Sequence, residues 1–209
     1  MQQQKGPPMH SNGMKLRSPP ALAALLFTAA CATPIYVSPV EVTRFVTPED
    51  MQLGAGTISV EAAPGTPDTL EFAPFQAAVR NELAQLGYRV VDSGAAQVAQ
   101  VSVRQTRQEA ADQRGPVTVG GGASTGTFGS GVGLGVGINL TPRPADRIGT
   151  MLSVQIRRTG GASNLWEGRA GMTVSVNSDY ADGGAAAARL AQALFQGFPG
   201  QSGETIAVE

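Results

Sequence analysis

The chain has 209 residues, 42% apolar and 15% charged, which suits one domain with a buried core and argues against wholesale disorder. A single Cys excludes an internal disulfide, a CxxC redox pair and a thiolate zinc cage. The formal net charge of −1 argues against a partner held by electrostatic attraction to nucleic acid.

Residues 1–30 read as a signal peptide. The first 31 residues carry Lys5, Lys15 and Arg17 and no acid, and an apolar stretch runs from Ala21 to Ala30, broken only by Thr28. Met14, followed by Lys15-Leu16-Arg17, looks like the natural start. Pro20 and Pro34 bound the stretch well short of the roughly 20 apolar residues that a spanning helix needs. Leu25-Leu26-Phe27-Thr28-Ala29-Ala30-Cys31 resembles the bacterial lipobox, although Thr28 stands where that pattern prefers Leu. The resemblance implies acylation of Cys31 by diacylglycerol and palmitate-like chains, with cleavage just before it. One chain holds a protein only marginally, at roughly 0.8 kcal/mol per buried methylene, so two or three make the anchor lasting. The competing reading is an ordinary signal cut after Ala30, with Cys31 a bystander. Ala32, where an Asp would retain the protein at the inner membrane in enterobacterial sorting, favours the outer membrane, facing the periplasm.

Cleavage removes both lysines and His10, leaving 12 Arg against 16 Asp+Glu and a net charge of −4. A mature chain without His or Lys has no Ser-His-Asp relay, imidazole metal ligand, P-loop lysine or Schiff base. Carboxylates alone could serve a glycosidase or an oxygen-ligated metal. The acids are scattered, however, and the adjacent Glu49-Asp50 suits a solvated turn after Pro48. No catalytic, metal-binding or cofactor-binding residue emerges, and Cys31 is the one site assigned.

Residues 31–39, with two prolines, read as a lipidated tether. A single domain is expected over 40–200. Val40–Val46 suits a first strand, and Gly56–Ala62 alternates, with Ile58 and Val60 on one face. Phe72, Phe75, Val79, Leu83 and Leu86 then form one helical stripe, begun by Pro74 and stopped by Gly87. Tyr88–Val91 opens an extended segment. Ala99, Val101 and Val103 alternate with Gln100, Ser102 and Arg104 as the next strand.

A glycine-rich insert covers 115–147, and half of the residues from Gly120 to Gly137 are glycine. Gly122-Ala123-Ser124-Thr125-Gly126 matches the GxSxG nucleophile elbow, a cheap match here with no histidine to activate Ser124. Gly129, Gly133 and Gly137 would line a glycine zipper in a helix. In a strand, the glycines from 129 to 137 share one side, and Val132, Leu134, Val136 and Ile138 share the other. The apolar run is far too short to span a bilayer. Three readings stay open: a loop or loose hairpin extending the sheet, a self-associating edge, or a membrane contact. The sequon Asn139-Leu140-Thr141 is a chance match.

Leu152, Val154 and Ile156 alternate with Ser153, Gln155 and Arg157, with Arg157-Arg158 a solvated strand end. Gly160-Gly161 marks a hairpin turn. Trp166, Ala170, Met172, Val174 and Val176 share one parity, with Trp166 expected as a core or sheet-edge anchor. Asp179 and Tyr180 belong to a turn before a closing helix over 183–197, ended by Phe198-Pro199-Gly200. Residues 201–209 read as a flexible tail. The expected fold is α+β: a two-layer sandwich, a mostly antiparallel sheet with two amphipathic helices on one face.

The lipobox, a first helix ending in Leu86-Gly87-Tyr88, Val101-Ser102-Val103 after it, Leu165-Trp166-Glu167-Gly168-Arg169-Ala170 and the closing helix ending Phe198-Pro199 resemble, in that order, the family called domain of unknown function 4136. The likeness spans about Val40 to Gly200. Where that family commonly places an Asp before the strand after the first helix, this chain has Ala95-Ala96-Gln97. The resemblance implies a bacterial envelope lipoprotein and supplies no catalytic residues. The functional expectation is a non-enzymatic periplasmic domain, held to the membrane by its N-terminal lipid, that binds or scaffolds an envelope protein partner. The alternative is a small module for an apolar ligand or lipid, with its pocket between sheet and helices.

Overall fold

Apolar side chains at every second position, rich in Val and Ile, drive most of the chain into strands, and two stripes of period 3.6 make helices. The computed structural model describes residues 33–47, 53–67, 69–110, 117–126, 129–138 and 144–209, with 117–138 described by backbone path alone. The signal peptide, Met14, Cys31, Glu49-Asp50 and Asn139-Leu140-Thr141 lie outside the described residues. The elements run β1 (Val40–Val46), β2 (Thr57–Ala62), α1 (Ala73–Gln85), β3 (Arg89–Val90), β4 (Gln97–Gln108), β5 (Val117–Gly126), β6 (Gly129–Ile138), β7 (Arg147–Arg158), β8 (Asn164–Ser175), α2 (Gly183–Phe195) and β9 (Thr205–Val208).

Seven strands form one sheet in the order β3-β2-β4-β7-β8-β1-β9, and β5 pairs with β6 in a separate two-stranded ribbon. The fold is α+β. The expected mostly antiparallel sheet is corrected to a mixed one, because β2 runs parallel to both β3 and β4. A parallel neighbour requires a crossover rather than a hairpin, and α1 supplies it between β2 and β3. The remaining pairs, β4–β7, β7–β8, β8–β1 and β1–β9, are antiparallel. The last nine residues are corrected as well. Rather than a flexible tail they contain β9, in which Ile206 and Val208 are half-buried against the core as Thr205–Val208 pair with Val40–Thr43.

Both helices pack against the sheet and against each other. Phe75, Val79 and Leu83 of α1 meet Leu190, Ala191 and Leu194 of α2 over Val42, Ile58, Val101, Leu152, Val154 and Ile156 in one buried cluster. Each such side chain, fully buried, contributes roughly 1.5–3 kcal/mol. α1 ends where expected. Gly87 takes φ +104°, Gly87 N–H donates to Ala84 O and Tyr88 N–H to Leu83 O, the bonding of a Schellman stop. The N-cap of α2 is Asp182, whose carboxylate accepts from Gly184 N–H at 2.9 Å.

Trp166 is fully buried, stacked on Phe195 at 5.4 Å and tilted against Phe198 at 5.2 Å, with its indole N–H donating to Pro199 O at 2.9 Å. The anchor role expected of it is therefore a core one. Gly168, two residues on and facing the same side, makes room for that ring: a Cβ there would collide with the indole and lie 2.8 Å from Leu194 Cδ1.

Candidate functional site

The sheet face turned away from the core cluster carries polar residues, and register sets them in rows. One row runs Arg104–Met151–Gly171–Glu41–Ala207 across β4, β7, β8, β1 and β9; the next runs Thr106–Gly149–Thr173. Gly149 and Gly171 lack side chains in adjacent rows, so the surface sinks there. A Cβ on either would meet no heavy atom closer than 3.6 Å. The cleft measures about 590 Å³, within the range of ligand sites, and places Arg104 and Glu41 on opposite sides of the Met151–Gly171 floor. One wall is the segment Tyr36–Pro39.

That wall is fastened. Tyr36 N–H donates to Ser175 Oγ at 2.9 Å and Ser175 N–H to Tyr36 O at 2.8 Å. Ser38 N–H donates to Thr173 O and Thr173 N–H to Ser38 Oγ, both at 2.9 Å. Asn177 Nδ2 donates to Thr33 O at 3.1 Å, and the Arg147 guanidinium lies 4.0 Å from the Tyr36 ring centroid. Of the segment read as a tether, the described part, Thr33–Pro39, is thus tied to the end of β8.

A second cleft, about 870 Å³, lies along α1 and α2 and includes Glu82, Gln85, Tyr180, Arg189, Gln192 and Glu209. Burial pushes the Glu82 carboxyl above its ordinary value. Arg189 donates from Nη1 to Tyr180 Oη at 3.2 Å and covers the Tyr180 ring at 4.8 Å, while its buried Nε has no partner. Among the described residues no group of three or more His, Cys, Asp and Glu could hold a metal ion.

Sequence reasoning missed both clefts and one buried cation. Arg44 shares the inward parity of β1 with Val40 and Val42, a visible signal, and is only 6% exposed. Its Nε donates to Leu194 O at 3.0 Å, and Nη2 donates to Ala193 O at 3.1 Å and Gln196 O at 2.8 Å, closing the C-terminus of α2. Burial pulls the guanidinium pKa below its ordinary value, opposed by the Glu204 carboxylate. Ser124 lies within β5 opposite Gly131, not on a strand-to-helix elbow. Arg157, next to last in β7 and beside a bulge, is half-exposed.

Asp146 fastens the two arms of the connection between β4 and β7. Its carboxylate accepts from Ala110 N–H and from Arg107 Nη2, both at 3.1 Å, and these bonds lower its pKa below 3.8, the Ala110 amide most. A depressed folded-state pKa gives stability that is present above pH 3.8 and lost as pH falls through the lower folded value. Acidification, or Asp146→Ala at neutral pH, is expected to lower the protection factor of the Ala110 amide (its exchange relative to the intrinsic rate at the same pH) while β8 amides stay protected; an unchanged protection factor in the variant would refute the clasp.

The fold and clefts define a class: an α+β domain in which two helices pack on a mixed seven-stranded sheet. No protein-family model matches the chain, and no curated protein matches it in sequence. Among solved structures, a PDZ domain protein from Parabacteroides distasonis is similar at TM-score 0.50 and 13% identity over 89% of this chain and 41% of that one. The chain thus spans about two fifths of that protein, and the likeness is one of fold. Two PelC dodecamer structures from Paraburkholderia phytofirmans are similar at TM-scores of 0.42 and 0.44 and 11% identity, covering 75% and 78% of this chain and 94% and 99% of theirs.

Proposed function

We propose that the chain is a bacterial envelope lipoprotein of the domain of unknown function 4136 type. In this reading its two-layer domain, with both helices on one sheet face, is non-enzymatic and binds or scaffolds an envelope component on the open face. The observation that carries the reading is the fastening of Thr33–Ser38 to the end of β8, beside the 590 Å³ cleft. An acyl anchor on Cys31 would then hold the domain with little slack, at the outer membrane and facing the periplasm. Two or three acyl chains supply the affinity, and the cleft supplies recognition through Arg104, Glu41 and polar strand residues. The space between sheet and helices is filled by Trp166, Phe75, Leu83, Leu190 and Leu194, so the apolar-ligand alternative draws no support from it.

In cells fed labelled palmitate, the wild-type protein is expected to carry label and to sediment with outer membranes. Cys31→Ser is expected to lose all label. An unlabelled wild type, or a Cys31→Ser variant that still carries label, would sink the anchor.

A further inference from the structure

We infer that β5 and β6 form a hairpin built to enter a bilayer as one unit of a β-barrel closed by further copies of this chain. The inference starts from composition. Residues 117–138 contain no Asp, Glu, Lys or Arg, whereas Arg107, Glu109, Asp146 and Arg147 stand just outside them. As a helix the apolar run is too short to cross a membrane. As strands the lengths fit: β5 and β6 have 10 residues each, and a tilted transmembrane strand needs about 9–11.

Register supplies the second observation. Val117 stands opposite Ile138, Val119 opposite Val136, Gly121 opposite Leu134 and Ala123 opposite Val132. The alternate pairs are Thr118–Gly137, Gly120–Gly135, Gly122–Gly133 and Ser124–Gly131. Cross-strand partners share a face, so one face of the ribbon takes all the branched apolar residues, together with Gly121, Ala123 and the last pair Thr125–Ser130, and the other takes only Gly, Ser and Thr. This twofold repeat, apolar outward and small or polar inward, is the pattern of barrel strands in membranes.

The third observation concerns edges. β5 and β6 pair with each other and with no other described strand, which leaves each with an open row of N–H and C=O groups. In hydrocarbon those groups need partners, so one hairpin cannot span alone, and closure requires identical edges from other copies. With two strands per copy and about eight strands in the smallest membrane barrels, at least about four copies are needed. Position agrees. The chain leaves the seven-stranded sheet at Gln108 and returns at Arg147, the end where Ser175, Asn177 and Arg147 hold Thr33–Tyr36. The inference rests on the envelope reading for the presence of a membrane, and not on acylation of Cys31.

The test uses the full chain, purified from membranes in mild detergent and reconstituted into phosphatidylethanolamine–phosphatidylglycerol vesicles loaded with a small dye. Wild type is expected to form oligomers of at least about four copies and to release the dye. Leu134→Arg, a charge on the apolar face, is expected to cut release about thirtyfold or more. Thr118→Glu, on the other face, is expected to keep release and shift planar-bilayer currents toward cations. Trp166 fluorescence, unchanged in both variants, shows that the body remains folded. Oligomers that release no dye, or equal release by Leu134→Arg, would overturn the barrel. Palmitate labelling of the same preparation separates the two readings: label without release leaves the lipoprotein and removes the barrel, and release without label does the reverse.

Discussion

Trp166→Ala is expected to lower the free energy of unfolding by about 4 kcal/mol, the cost of emptying a large aromatic site that cannot collapse. The ring is fully buried, it stacks on Phe195 and tilts on Phe198, and Gly168 has given up its own side chain to admit it. Truncation would also leave Pro199 O without the indole donor that now reaches it at 2.9 Å. For a domain of this size the midpoint of thermal unfolding should fall by about 12 °C. Trp166→Phe keeps much of the ring and loses the N–H, so it should fall between the two. Urea unfolding followed by far-ultraviolet circular dichroism checks this, since the only Trp is no longer present as a probe. A loss below about 1 kcal/mol would mean that the aromatic cluster is not part of the cooperative core.

Arg44→Met is expected to cost about 3 kcal/mol, even though it replaces a charge by an apolar side chain of similar length. The reason lies in the carbonyls. Leu194 O, Ala193 O and Gln196 O belong to the last turn of α2, where no intrahelical N–H remains, and Arg44 serves all three. Two of those bonds are buried, so water is a poor substitute donor there. Gly200 packs so closely that a Cβ would lie 2.8 Å from Arg44 Nη1, which holds the guanidinium in place. Arg44→Lys should recover only part of the loss, because a point-like ammonium cannot reproduce the planar fork. Thermal unfolding of the two variants beside wild type decides: equal midpoints for Met and wild type would refute the cap.

The helices were legible because their signals are local. The stripe from Phe72 to Leu86 and the Gly87 stop predict the helix found at Ala73–Gln85, and the closing helix expected over 183–197 is found at Gly183–Phe195. β1 has the expected bounds, β4 and β7 extend the expected strands at each side, and β8 begins two residues earlier than Trp166 and stops one short of Val176. The insert was legible only in part: the alternation of 129–138 fitted a strand as well as other readings, and the choice came once β5 and β6 were set in register. Arg44 was overlooked because a lone cation at the end of an apolar strand looks solvated until α2 is placed above it.

Side-chain period and turn chemistry act within a few residues, and that is why the sequence alone determined both helices and most strands of the large sheet, but not β9 or the β5–β6 ribbon. Neighbourhood in the sheet is a property of distant segments. That β2 lies parallel between β3 and β4, that Thr205–Val208 close an edge on β1, and that Gly149 and Gly171 meet in one hollow were decided only in the tertiary structure. The hydrogen bonds and contacts responsible join residues far apart along the chain, and no short window of sequence contains both partners.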